Sequence, residues 1–332
     1  MSDIETLKAA LDAIPDPAGN GGLIASGRAA APRLADGRAG LILDVSGLPV
    51  AVRDALAADI EQRLKQIPGV NEVRIAMTSQ RSQRMLIAVA SGKGGVGKST
   101  VSTNLAVALK RMGLHTGLVD ADIYGPSQPR LTNSEGKRPE AKGEKLIPVE
   151  TPYGVPLLSM GHLVKPGQAI AWRGPMAGNA LGQLIDAEWG DANILVADMP
   201  PGTGDVQLSM VQKHKPVGAV IVSTPQDLAL IDATRAIDLF NSADVPIIGI
   251  VENMSGYACP HCGEISDPFG SGGAEAAARE MGVPFLGRIP LAMDIRANSD
   301  AGTPPAAGNG PHADAFTRIA EQLAAWIRQH GG

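Results

Sequence analysis

From residue 85 onward, short, largely apolar runs recur at 85–90, 115–119, 193–197, 217–222, 247–251 and 283–286. Runs of this length read as strands buried on both faces. Between several of them lie segments of helical character, at 101–111, 173–187 and 228–240. Strand alternating with helix predicts an α/β domain, its mostly parallel sheet doubly wound with helices on both faces. Residues 125–170 are rich in proline, glycine and charge and read as a long excursion with short strands. At the C-terminal end, Phe316, Ile319, Leu323 and Ile327 share a helical face whose opposite side has few cations, so the helix is expected to pack on its own domain.

The first 78 residues follow a different rhythm. Ile4, Leu7, Leu11 and Ile14 mark a helix stopped by Pro15-Asp16-Pro17, and Val52, Leu56, Ile60 and Leu64 mark a second, ended by Pro68-Gly69. Short strands are predicted at 23–25 and 41–45, and Val73, Ile75 and Met77 alternate as a third. The expected division is a small α-β-β-α-β unit at 1–78, a polar linker at 79–84, and a large domain at 85–332.

With 332 residues there is room for one large domain and one small one. A net charge of −5 without a basic block argues against nucleic acid as a partner, and no apolar run has the length of a membrane span. The N-terminus lacks the basic and apolar regions of a signal peptide, and two cysteines exclude a disulfide-built fold, so a reducing cytoplasm is the expected setting.

Chemistry concentrates just past the strand ends. Ser91-Gly92-Lys93-Gly94-Gly95-Val96-Gly97-Lys98-Ser99-Thr100 joins the first strand of the large domain to a helix and has the full P-loop spacing. Small residues let backbone N–H groups curl into a nest, and the helix N-terminus adds its positive end. Residues 92–100 are therefore expected to cradle ATP, with Lys98 on the β- and γ-phosphates and Ser99 on Mg²⁺. Asp198 ends an apolar strand, where a Walker B carboxylate reaches the metal shell, and Pro200-Pro201-Gly202-Thr203-Gly204 suits a switch segment. Asp122, after the second strand, is either a working carboxylate or a turn-former, and Asn253 could equally close an Asx-turn. Lys93, one residue after the first glycine, could be an ordinary solvated lysine.

Tyr257-Ala258-Cys259-Pro260-His261-Cys262-Gly263 holds both cysteines. A C-x-x-C pair has three readings: a thioredoxin-like dithiol, a zinc knuckle, or half of an iron–sulfur site completed by a second chain. The dithiol needs a helix after the first cysteine, which Pro260, Gly263 and Pro268 disfavour. Zinc needs four ligands where one chain brings two thiols, and His261, adjacent to Cys262, is awkwardly placed to add a third.

Taken together, Lys93-Gly-Gly-Val-Gly-Lys98-Ser99, Asp120-Ala-Asp122-Ile-Tyr-Gly-Pro-Ser127, Asp198-Met-Pro-Pro-Gly-Thr-Gly-Asp205, and Glu252-Asn253-Met-Ser with Cys259-Pro-His-Cys262 resemble the Mrp/ApbC iron–sulfur carriers. These are deviant Walker A ATPases of the MinD/ParA class, and the resemblance runs from about residue 85 to about 300. It implies a homodimer in which Lys93 crosses to the partner's phosphates, Asp122 acts on the attacking water, and Asn253 meets adenine. It further implies that Cys259 and Cys262 of two chains bridge one labile [4Fe–4S] cluster, received from scaffold proteins and delivered to apo iron–sulfur proteins under ATP control. The first 78 residues resemble the small MIP-like assembly domain by Ala-Ile-Pro-Asp-Pro and element order, but lack that family's reactive cysteine, so docking or regulation is expected of them. Two other functions compete: a MinD/ParA positioning ATPase, and a nucleotide-gated electron donor like the nitrogenase iron protein, whose cysteines lie far apart in sequence.

Overall fold

The computed structural model describes residues 3–19, 21–46, 48, 50–78, 84–163 and 174–330. The chain divides into two compact units, residues 1–83 and 84–332. Of the expected 79–84 linker, residues 79–83 lie outside the described part, as do 164–173, which include the end of the expected excursion and the start of the expected helix at 173.

In the first unit the order is α1 (Asp3–Asp12), β1 (Ala29–Ala35), β2 (Arg38–Asp44), α2 (Val50–Leu64) and β3 (Glu72–Thr78). β1 pairs antiparallel with β2, and β2 parallel with β3. Leu7, Leu11 and Ile14 bury against Leu41, Leu43, Leu56, Ile60 and Leu64, while Ile4 stays exposed. The strand expected at 23–25 is instead a run of turns, and the first strand begins at Ala29. Leu23 is fully buried there, so an apolar plug in a turn carries the same burial signal as a strand. β1 holds Pro32 on an edge, where its missing N–H costs no ladder bond, and its register slips between Ala30 and Arg33, where Ala31 has φ 51°.

The second unit runs β4 (Met85–Ala90), α3 (Lys98–Arg111), β5 (Thr116–Asp120), α4 (Gln128–Leu131), β6 (Glu140–Lys142), β7 (Lys145–Ile147), β8 (Val149–Glu150), β9 (Pro156–Ser159), α5 (Met160–Leu163), α6 (Gly174–Ile185) and β10 (Ile194–Asp198). It continues α7 (Asp205–His214), β11 (Gly218–Ser223), α8 (Asp227–Ser242), β12 (Ile247–Ala258), β13 (Ile265–Ser266), α9 (Gly273–Met281), β14 (Phe285–Leu291), α10 (Met293–Asp300) and α11 (Pro311–His330). The main sheet is ordered β13-β12-β11-β4-β10-β5-β9-β8, with β14 on β12. All its pairings are parallel except those of the short strands β8 and β13. The expected excursion does hold short strands, β6 to β9, but it also forms the short helices α4 and α5, and β9 joins the main sheet beside β5.

Alternation along the buried strands divides the interior in two. Leu86, Ala88 and Ala90 of β4 and Leu195 and Ala197 of β10 face a core shared with α6, α7, α8 and α9. Ile87, Val89, Ile194 and Val196 face the opposite core, shared with α3 and α11. Phe316, Ile319, Leu323 and Ile327 of α11 are all buried, as their spacing predicts. From β4 the chain moves first to one side, through β5, β9 and β10, and then to the other, through β11, β12 and β14. The C-terminal end of β4 is thus the switch point of the sheet, the place where open α/β sheets bind ligands.

Candidate functional site

At that switch point the chain leaves β4, turns through 91–97 and enters α3. Gly97 caps α3 at φ 80°, ψ 21°, and a Cβ there would lie 2.2 Å from Asn253 Nδ2. Gly92 is fixed by packing, since a Cβ would lie 1.9 Å from the Asp232 carbonyl oxygen. Both positions therefore demand glycine. A cavity of about 300 Å³ opens over the loop, lined by Lys93, Gly94, Gly95, Gly97, Lys98, Ser99, Thr100 and Asp122, together with Ser91, Ser127, Leu131 and Pro201. Sequence positions separated by up to 110 residues thus converge on one phosphate-sized recess.

Behind the recess the polar groups are buried and closely tied. Lys98 Nζ lies 2.5 Å from Asp198 Oδ1, with the carboxylate fully buried. Ser102 Oγ donates to the same oxygen at 2.9 Å, and Gln128 Nε2 donates to Asp198 Oδ2 at 2.8 Å. Asp120, also fully buried, accepts from Ser159 Oγ at 2.8 Å and from the Gln128 backbone N–H at 3.1 Å. Burial, reinforced by the neighbouring Asp198 charge, pushes the Asp120 carboxyl up to about 8. Asp122 accepts from the Gly125 N–H at 3.2 Å, and burial raises its carboxyl as well, against the pull of Lys98. Ser99, Asp198 and Asp122 offer only hydroxyl and carboxylate oxygens, the donor set that suits magnesium.

Asn253, Val96 and Gly92 flank the recess without lining it. Asn253 Nδ2 donates to the Val96 carbonyl at 2.8 Å, so its amide holds the phosphate loop against β12. Next to it, fully buried Glu252 accepts from Ser255 Oγ at 2.8 Å, the Ala274 N–H at 2.9 Å and Arg288 Nε at 3.0 Å, joining β12 to the start of α9 and to β14. The sequence assigns no role to Ser102 or Gln128, and shows Glu252 only as a member of the Glu252-Asn253-Met-Ser motif. A charged residue closing an apolar strand was the available signal for Glu252; the other two have no local signature.

β12 carries the chain away from the recess to the cysteines. Past Asn253 its register against β14 breaks, Met254 takes φ 60°, and the pairing resumes at Tyr257. Tyr257 and Ala258 pair antiparallel with Ser266 and Ile265, so Cys259-Pro260-His261-Cys262 forms the tip of a hairpin. The tip is closed by Cys259 N–H donating to the Glu264 carbonyl and Gly263 N–H to the Cys259 carbonyl, each at 2.9 Å. Backbone N–H groups of Cys262, then of His261, hold the Cys259 thiol below the usual thiol range, with a further hydrogen bond from the Cys262 side chain. Cys259 is half-buried and Cys262 exposed, and both are free thiols. No helix follows Cys259, which removes the structural basis of a thioredoxin-like dithiol. Among the described residues no three His, Cys, Asp or Glu side chains converge on a metal position within one chain. Nor, among them, is any helix long and apolar enough to cross a membrane.

The comparisons with known proteins agree with this architecture. The ParA family profile described as NUBPL iron-transfer P-loop NTPase matches residues 82–324. The mitochondrial iron–sulfur protein required for NADH dehydrogenase from Arabidopsis thaliana is 54% identical, over 66% of this chain and 70% of its own length. The iron–sulfur cluster carrier protein of Deinococcus radiodurans is 40% identical over 97% of this chain and 95% of its own. A nucleotide-binding protein from Archaeoglobus fulgidus, solved with ADP, is 38% identical with a TM-score of 0.61, covering 71% of this chain and 93% of that one. With a family profile spanning most of its length, a phosphate loop at the switch point and a paired-thiol hairpin on the adjoining strand, the chain belongs to the NUBPL iron-transfer P-loop NTPases.

Proposed function

We propose that this protein is an iron–sulfur cluster carrier of the reducing cytoplasm, in which two copies hold one [4Fe–4S] cluster between them and pass it to apo-proteins under the control of ATP. The observation that carries this reading is the hairpin: two free thiols, one already biased toward thiolate by backbone N–H groups, presented on the strand whose Asn253 holds the phosphate loop. A four-thiolate cluster needs two copies, because each chain has two cysteines. Exposure at the tip suits cargo that is handed over by exchange of thiolate ligands, with a scaffold protein as donor.

ATP fits the recess through the N–H groups of 94–100 and the ammonium of Lys98, which exchanges its partner Asp198 for phosphate. Ser99 and Asp198 would hold magnesium, which when bound neutralises charge across the phosphates. Asp122, its carboxyl raised by burial, is suited to orient a water and accept its proton as the oxygen attacks the γ-phosphorus and the bridging bond breaks, releasing ADP. Lys93 lines the recess and is half-buried, a position from which a second copy's phosphates come within reach as the two recesses face each other. The relatives named as carriers support the cargo; MinD/ParA positioning and electron donation draw no specific support from the hairpin.

Anaerobic reconstitution with iron and sulfide tests the reading. The expected result is one cluster per two chains, its transfer to an apo-acceptor, and its loss in the Cys259→Ala/Cys262→Ala protein. Tight zinc binding by the same thiols without cluster uptake, or a redox-active disulfide, would overturn it.

A further inference from the structure

Gln128 is a buried amide at the edge of the recess, in contact with Asp198 but not among the residues that line the cavity. It begins the one-turn helix α4 and is completely buried. Its Nε2 donates to Asp198 Oδ2 at 2.8 Å and to the Ser99 carbonyl at 3.1 Å, while Thr103 Oγ1 lies 2.5 Å from its Oε1. Its backbone N–H goes to Asp120 Oδ2 at 3.1 Å. The carboxylate accepts only, so the amide nitrogen must face Asp198, and the Thr103 hydroxyl then meets the amide oxygen. One side chain therefore joins three segments that arrive separately at the sheet edge: the start of α3, the end of β10, and the loop after β5 that carries Asp122.

Burying a primary amide costs free energy unless its groups are bonded, and the three bonds made by this side chain are more than filling the space would need. An apolar side chain of equal size would occupy the same volume. It would leave Asp198 Oδ2 without its amide donor, and only backbone bonds, such as Ala121 N–H to the Asp198 carbonyl at 2.9 Å, would still join the Asp122 loop to the Walker B strand.

We propose that Gln128 is a positioning residue for ATP hydrolysis. It fixes the rotamer of Asp198 and sets the distance between that carboxylate and the loop bearing Asp122. Through its bond to the Ser99 carbonyl, the same amide ties Asp198 to the residue expected to share the magnesium. Nucleotide binding draws Lys98 away from Asp198 Oδ1, and Gln128 then keeps Asp198 from turning with it. The role is in alignment of the chemical step, so it separates turnover from binding. This inference rests on the hydrolytic part of the proposed function.

The experiment measures ATP turnover and nucleotide affinity in the full-length wild type and in the Gln128→Met, Gln128→Glu and Thr103→Val proteins, with Lys98→Ala as the inactive control. Gln128→Met keeps the volume and removes every side-chain bond; its kcat is expected to fall about tenfold to a hundredfold while ADP affinity changes less than about threefold. Gln128→Glu keeps the shape but sets a second carboxylate against Asp198, and is expected to fall further. Thr103→Val frees the amide oxygen and is expected to give the same kcat-selective loss, smaller in size and less than additive with Gln128→Met. A Gln128→Met protein with wild-type kcat, or one whose affinity falls in step with kcat, would overturn the inference. Wild-type protein that shows no turnover above the Lys98→Ala control would instead overturn the hydrolytic reading itself. Far-ultraviolet circular dichroism and the thermal midpoint identify a variant that has failed to fold, and Thr103→Val then decides, since its substitution is isosteric.

Discussion

The phosphate recess and the cysteine hairpin are joined by one strand, β12, yet they are built on opposite plans. At the recess Lys98, Asp120 and Asp198 are buried and held by side chains from distant parts of the sequence: Lys98 and Asp198 are 100 residues apart, Gln128 and Asp198 are 70 apart. At the hairpin the chemical groups reach solvent and are held by backbone within six residues. The difference matches two kinds of task. Phosphoryl transfer relies on preorganised charge in a water-poor site, where a displaced carboxylate costs turnover. Delivery of a cargo requires that its ligands be reached by another protein, and a deeply buried thiolate pair would retain what it carries. The design consequence is that the recess should be fragile toward side-chain substitution and the hairpin tolerant of it, wherever the thiols themselves are kept.

The largest test of this contrast is Lys98→Ala. Turnover is expected to fall by at least about a hundredfold, as it does when a key electrostatic group is removed from an active site. The substitution also leaves Asp198 as a buried carboxylate without its cation, so it should destabilise the second unit by about 3 kcal/mol. The Cys259→Ser/Cys262→Ser protein, altered at half-buried and exposed positions, should stay within about 0.5 kcal/mol of wild type. Urea unfolding followed by tryptophan fluorescence resolves the two cases, because Trp172, Trp189 and Trp326 all lie in residues 84–332. Equal stability losses in the two proteins would break the comparison.

Burial at the recess side also predicts a dependence of stability on pH in the acid range. His162, at the end of the short helix after β9, is 5% exposed and shares a 3.1 Å hydrogen bond with Ser134 Oγ. Burial pushes its imidazole down to about 4, from an ordinary value of 6.5. The unfolded chain therefore takes up a proton between pH 6.5 and about 4 that the folded protein refuses. The stability associated with neutral His162 is complete above pH 6.5, falls as pH drops through that window, and levels below it, a total of about 3 kcal/mol. Raised Asp120 acts in the opposite direction, favouring the folded state as pH falls from about 8 toward the ordinary carboxylate range, so the wild-type curve alone is ambiguous. The difference between wild type and His162→Gln isolates the imidazole. The wild-type urea midpoint should fall relative to that of His162→Gln as pH drops from 7 to about 4.5, and parallel curves would show that His162 does not titrate this way.

The two plans also explain what could be read from the sequence. Features set by local spacing were legible: the phosphate loop, the strand ends at Asp122 and Asp198, the thiol pair, and the apolar face of α11. Those set by distant partners were not. Gln128 and Ser102 look like ordinary loop and helix residues until Asp198 is brought beside them, and β9 looks like part of an irregular excursion until β5 offers it an edge. Leu23 misled because burial alone does not distinguish a strand from a packed turn. β12 ran seven residues beyond its apolar core, past a bulge at Met254, because the hairpin partner β13 and the buried Glu252 hold it in place.

The smallest expected effect is at His261, and it is the most selective test of the hairpin. Its contribution to the Cys259 thiol comes through the backbone N–H, which every residue except proline supplies, while its imidazole is not part of that arrangement. His261→Ala should therefore take up cluster to the same extent as wild type and, in a Cys262→Ala background, leave the Cys259 thiol titrating below the usual range. His261→Pro, compared with His261→Ala, removes the N–H and fixes φ at about −65°, and should raise that midpoint, with the N–H of Cys262 still lowering it. If His261→Ala instead halves the cluster content, the imidazole is a ligand. The site would then contain a side chain whose identity matters, and backbone alone would no longer account for how the hairpin holds its cargo.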